Sequence, residues 1–231
     1  MIKVERVLDV RTVEGYPDSL NMAIGGFSST ESERKLEDIS LSVPEGSARP
    51  RTAIAHKNGY IYIMVTDYNN DHSLNGFGTV MDELGFDREN WLFLDGGGST
   101  QAYLSNNGNA LAHNSNRKVP MLLQVHKGKY NAWKDGGLII CEAKPEDVNF
   151  YNKLTTTKSE PGFDGFNATF FDGSYNLLGV AYEDKKLYAN AVSWRPARAC
   201  MLIHGESYVE PKSLEERVAD LELKVSALEK K

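Results

Sequence analysis

Residues 90–104 read NWLFLDGGGSTQAYL, and few stretches restrict a chain more. Trp91, Leu92, Phe93 and Leu94 form a continuous apolar block of strand length, which fits a strand covered on both faces better than a half-exposed one. The strand ends on an acid, Asp95, and leaves through Gly96, Gly97 and Gly98 before Ser99, Thr100 and a second strand-like run. Three consecutive glycines are favoured where backbone must take positive φ or approach another group closely. Such a loop has two readings. It is a tight connection between strands, or a concavity of backbone N–H groups and two hydroxyls suited to an anion.

Around this loop the chain is rich in short strand patterns. KVERVLDV, TAIAH, YIYIMVTD, WLFLD, QAYLS, MLLQVH, GLIICEA, LGVAYED, KLYANAV and ARACMLIHG all have strand character. A helical pattern interrupts them at FGTVMDELGF, where Thr79 is placed to cap a helix carrying Val80, Met81 and Leu84, with Gly85 as its stop. Regular βαβ alternation is missing, so the expected class is α+β with mixed or antiparallel sheets and few helices. The polar stretch 142–165 reads as a connector. A formal net charge of −6 argues against a general grip on nucleic acid. No run of eighteen apolar residues and no charged-then-apolar leader is present, so neither a membrane span nor Sec export is expected. Cys141 and Cys200 lie in apolar runs without CxxC spacing, which predicts buried free thiols and a cytoplasmic site of synthesis. His56, His72, His113, His126 and His204 show no metal-ligand spacing, and no cofactor is implied. His113 is expected on a surface loop.

Residues 213–231 carry a second helical pattern. Leu214, Val218, Leu221, Val225 and Leu228 follow a 4-3-4-3 spacing, with Arg217 and Lys224 at g and Glu222 and Glu229 at e. This predicts a short coiled coil and a homo-oligomer, with a trimer favoured. So short a coil is marginal alone, and the globular part has to contribute to assembly.

The motifs PRTAIAH, TVMDELGF, LDGGGST and NRKVPMLLQV, in this order, resemble the phosphodiester glycosidase family, to which the lysosomal mannose 6-phosphate uncovering enzyme belongs. The resemblance runs from about Asp9 to Gly128 and matches the carboxyl-terminal half of that family. Ala55 stands where the family usually has glycine, and Lys118, Val119 and Pro120 stand where it has Pro-Val. The stretch DGFNATFFDGSYNLLGVAYEDKKLYAN, followed by WRPARACMLIHG, resembles the family's amino-terminal half, with Asn167, Phe170, Phe171, Gly179 and Arg195 in matching places. The halves occur in swapped order. This implies a circular permutation, with residues 1–141 and 166–212 as the two halves of one domain and 142–165 spanning the old termini. The rival arrangement completes the site across protomers.

The resemblance implies hydrolysis of a sugar from a glycosyl-1-phosphodiester. Such a site must hold a phosphate and stabilise an oxocarbenium-like centre, for which a carboxylate suits. Asp95 is the expected catalytic acid, base or nucleophile and Asp67 a second carboxylate. Gly96, Gly97, Gly98, Ser99, Thr100, Thr52, Arg51, Arg117 and Asn167 are the expected phosphate or sugar contacts, with Arg51 suited to a bidentate pair. Two other readings stay open: a non-catalytic phosphosugar-binding trimer such as a phage tail component, and a cytoplasmic binder or hydrolase of a nucleotide-like signal.

Overall fold

The computed structural model describes residues 1–5, 20–28, 47–106, 109–160, 162–189 and 198–204. The predicted coiled coil of residues 213–231, and Arg195, lie outside these. In chain order the strands begin with β1 (Ile2–Glu5), β2 (Leu20–Ser28), β3 (Thr52–Lys57), β4 (Tyr60–Thr66) and β5 (Trp91–Phe93). Then come β6 (Ala102–Asn106), β7 (Asn109–His113), β8 (Leu122–Val125), β9 (Tyr130–Asp135) and β10 (Leu138–Ala143). The last are β11 (Val148–Tyr151), β12 (Gly165–Asn167), β13 (Ala181–Glu183), β14 (Lys186–Ala189) and β15 (Arg198–His204). Among the described residues one α-helix, α1 (Leu74–Glu83), joins β4 to β5.

Two sheets hold these strands. The larger runs β1-β15-β2-β5-β3-β4-β10-β9, with β13 and β14 attached to β2, and the smaller runs β11-β8-β12-β6-β7. Every pairing among the described strands is antiparallel. The expected α+β class with few helices is thus met by antiparallel sheet.

Alternation along the central strands sorts side chains into two cores. Ile54, Ile61, Ile63, Val65, Leu92 and Leu94 point toward the smaller sheet, where Leu104, Leu123 and Phe166 meet them. Ala53, Ala55, Met64, Trp91 and Phe93 point the other way, against Phe77 and Met81 of α1. Both faces of β5 are therefore covered, which is why Trp91 to Leu94 is apolar without alternation; all four are nearly inaccessible to water. The alanines of β3 let α1 lie close to the sheet.

The helix starts earlier than its sequence suggests. Ser73 is the N-cap, its Oγ accepting from Gly76 N at 3.0 Å, while the expected cap, Thr79, sits inside and donates to Asn75 O. Gly76 and Gly78 weaken the helical signal there, but the face of Phe77, Gly78 and Met81 is buried and outweighs it. Gly85 ends the helix as expected, at φ +76. The polar stretch 142–165 contains β11 and two 3-10 turns, so it is partly built into the smaller sheet. Cys141 and Cys200 are both buried free thiols.

Candidate active site

Strand β5 delivers Asp95 between two neighbours. Leu94 N donates to Thr52 O at 2.9 Å on one side, and Asp95 N to Ala168 O at 3.4 Å on the other. The glycines then turn the chain sharply. Gly97 takes φ +60, which a side chain would resist, and its N–H donates to Pro50 O at 2.8 Å. A Cβ on Gly96 would lie 3.0 Å from that same carbonyl. The loop amides of Gly96, Ser99 and Thr100 donate to Asp95 Oδ1, Gly96 O and Gly97 O. Side chains are therefore the available groups here more than amides. Ser99 Oγ is fully buried with no hydrogen-bond partner.

A buried polar network fixes the loop from behind. Asn167, at the end of β12, accepts at Oδ1 from Thr52 Oγ1 (2.9 Å) and Gln101 N (3.0 Å), and donates from Nδ2 to Asp95 O (2.6 Å). Thr52 Oγ1 also lies 3.4 Å from Thr100 Oγ1. Gln101 donates from Nε2 to Ser99 O and Arg117 O, and accepts at Oε1 from Thr157 N. Sequence reasoning did not single out Gln101, because nothing local marks a glutamine whose partners lie 16 and 56 residues away. With Asn167 it ties the loop, Arg117 and the 3-10 turn at Thr157–Ser159 into one unit.

Asp95 is the perturbed group in this corner. Burial pushes its carboxyl up to about 6 from an ordinary value of 3.8, against the opposing pull of Ser99, the Arg117 guanidinium and the Gly96 amide. Ser99 lies near enough to favour the ionised form, although the two groups are not aligned as a hydrogen bond. Arg117 stands across the loop, its guanidinium carbon 5.0 Å from the centre of the Phe171 ring. An acid poised near neutrality beside a cation and a buried hydroxyl suits proton transfer, or charge stabilisation at an anionic substrate.

The remaining expected residues divide in two. Thr52, Gly96, Gly97, Gly98, Ser99, Thr100, Arg117 and Asn167 all come together with Asp95. Arg51 is buried beneath, donating from Nε to His72 O (2.9 Å) and from Nη2 to Ser47 O (3.3 Å). Asp67 follows β4, accepting from Lys134 Nζ at 2.7 Å and from Tyr68 N. His113 is not on a surface loop: β7 pairs with β6 and buries it, with its Nδ1 2.6 Å from Thr66 O. A carbonyl can only accept, so Nδ1 carries the proton. Its ring stacks on Tyr68 at 4.9 Å, and from the same segment Ser115 Oγ donates to Gly98 O at 2.6 Å. Among the described residues no group of three or more His, Cys, Asp or Glu side chains is arranged to hold a metal ion. Nor is any helix among them long and apolar enough to cross a membrane.

Comparison with known proteins agrees with the motifs. A family model described as phosphodiester glycosidase matches residues 18–126, which includes the glycine loop and Arg117. No curated protein and no solved structure gives a significant match.

Proposed function

We propose, from the match of residues 18–126 to a phosphodiester glycosidase family model, that the protein hydrolyses a glycosyl-1-phosphodiester. Water is added across the anomeric C–O bond, releasing the free sugar and a phosphomonoester of the aglycone. The observation that carries this reading is Asp95 at the head of the glycine loop, its carboxyl pushed up to about 6 by burial against the pull of Ser99 and Arg117, in the corner made by the matched segment. Arg117 receives the phosphate charge, and the buried Ser99 hydroxyl lies behind Asp95 and favours its ionised form. Asp95, mostly ionised at neutral pH, stabilises the developing positive sugar centre or takes the proton of the attacking water. A phosphate is a good leaving group, so a single carboxylate is sufficient. Thr52, Gln101 and Asn167 act as positioning residues, since their polar atoms point into the scaffold. The glycan is a wall polymer, a capsule or a similar phosphodiester-linked chain.

The same reading takes the chain as a permuted version of the family domain. Its support is Asn167, which comes from the second half and bonds Thr52, Gln101 and Asp95 of the first within one chain. The deciding experiment is release of sugar from a panel of glycosyl-1-phosphodiesters by wild type and Asp95→Asn, with and without chelator. Turnover lost only in the variant supports the hydrolase. Saturable binding without turnover by wild type makes this a phosphosugar-recognition domain instead.

A further inference from the structure

Beyond Arg117 the site continues into aromatic surface. The Phe171 ring under the Arg117 guanidinium is stacked in turn on Tyr175, with centroids 5.8 Å apart and planes at 15°. Tyr175 is 44% exposed and sits at φ +64, a conformation that disfavours bulky side chains. The turn beneath it is tightly made. Asp172 accepts at Oδ1 from Ser174 N (2.8 Å) and Asn176 N (2.9 Å), and at Oδ2 from Asn176 Nδ2 (2.9 Å). Tyr175 N donates to Asp172 O, and Asp172 N to Asn176 O. Behind it, Leu178 N donates to Phe170 O at 2.7 Å, and Phe170 packs on Phe27 at 4.5 Å. An exposed aromatic ring is thus held in an unfavourable backbone state by a stiff turn. Strain of this kind persists where the surroundings over-determine it, and it clusters at ligand clamps.

We infer that Phe171 and Tyr175 form a stacking shelf for the leaving-group side of the substrate, selecting aglycones that carry a flat ring over simple alkyl ones. The inference rests on the glycosyl phosphodiester reading of the Asp95 corner. The groups run in one order, from the Asp95 loop to Arg117, whose side chain lies about 3.8 Å from where a Cβ on Gly98 would sit, and on to Phe171 and Tyr175. A glycosyl phosphodiester has the matching order of anomeric carbon, phosphate and aglycone. With the sugar at Asp95 and the phosphate on Arg117, the next group along the substrate meets the Phe171 and Tyr175 faces. Aromatic faces hold rings by stacking and give little to a methyl group. Tyr175 is therefore a specificity residue, acting on the choice of aglycone and not on the bond that breaks.

The test uses methyl and phenyl diesters of α-D-glucose 1-phosphate and of N-acetyl-α-D-glucosamine 1-phosphate, with the full chain. For the sugar that turns over, the phenyl-to-methyl ratio of kcat/KM is expected to fall about tenfold in Tyr175→Asn and to return in Tyr175→Phe. Asparagine tolerates positive φ, so this variant removes the ring without breaking the turn. Binding to Asp95→Asn protein, read by ligand-observed NMR, supplies the second arm. There the phenyl ester is expected to show ring-proton saturation that Tyr175→Asn removes. Turnover with a ratio unchanged by Tyr175→Asn overturns the shelf and leaves the hydrolase standing. Ring saturation lost in Tyr175→Asn, without turnover by wild type, keeps the shelf and removes the hydrolase. Equal saturation with and without Tyr175, or none on any ester, overturns the shelf.

Discussion

Asp95, half-buried, and Asp164, fully buried, are both carboxylates at strand ends, and their surroundings differ in kind. Asp164, just before β12, is 2% exposed and accepts three hydrogen bonds, from Ser105 N (2.9 Å), Ser105 Oγ (2.9 Å) and Tyr130 Oη (2.8 Å). It ties β6 of the smaller sheet to β9 at the edge of the larger one. Asp95 accepts one aligned bond, from the amide of the next residue, and shares its corner with a cation and an unpaired hydroxyl. Both are drawn away from water, Asp95 only in part. The number of donors decides the use: a fully solvated-by-protein acid holds structure together, and an under-satisfied one is left available for chemistry.

The widest separation between the two is in activity. Asp95→Asn is expected to lower kcat about 10³-fold while the protein folds normally, measured on the best phosphodiester substrate. A loss of less than tenfold would remove Asp95 from the chemical step. Asp164→Ala reverses the pattern, leaving the half-buried Tyr130 Oη and both Ser105 donors without this acceptor. A stability loss of roughly 3 kcal/mol is expected in urea unfolding.

The pH dependence of stability sharpens the contrast further. With its folded pKa raised to about 6, Asp95 carries no penalty below its ordinary 3.8, where folded and unfolded states are both protonated. As pH rises the unfolded chain ionises first, so the fold loses stability until about pH 6 and stays lower above it. Asp95→Asn abolishes that penalty, and a gain of up to about 3 kcal/mol at pH 7 is expected, nearly vanishing by pH 4. Equal melting shifts at both pH values would contradict the raised pKa. The smallest effect is Tyr130→Phe, expected to cost about 1 kcal/mol by removing one of the three donors to Asp164. Burial, and then Asp164, push the Tyr130 phenol above its ordinary range, so its hydrogen bond persists across the accessible pH range.

The two carboxylates were not equally legible in the sequence. Asp95 announces itself, because a buried strand running into acid, glycines and hydroxyls is a local pattern. Asp164 sits in a polar stretch that reads as a connector, and its partners lie 34 and 59 residues away. The same division holds for the strands. β3, β4, β5, β10 and β15 are apolar enough to read directly. β2 was missed because Gly25 and Gly26 interrupt LNMAIGGFS, although a Cβ on Gly25 would meet the Val180 backbone of the strand entry beside it. β9 is an edge strand with a mostly exposed, polar face, and β11 hides in the supposed connector. Local periodicity reveals what is buried on both sides. Pairing that depends on a distant neighbour leaves no such trace.

The order of strands in the larger sheet has a further consequence for how the chain is made. β2 emerges early but lies between β15 and β5, and β1 pairs with β15, where Met1 O accepts from His204 N at 2.8 Å. On a translating ribosome, Ile24 and its neighbours have no partner on one side until β15 has cleared the exit tunnel. The nascent chain therefore carries an open apolar strand edge throughout the synthesis of the residues between β2 and β15, a state that favours slow final closure and engagement by chaperones.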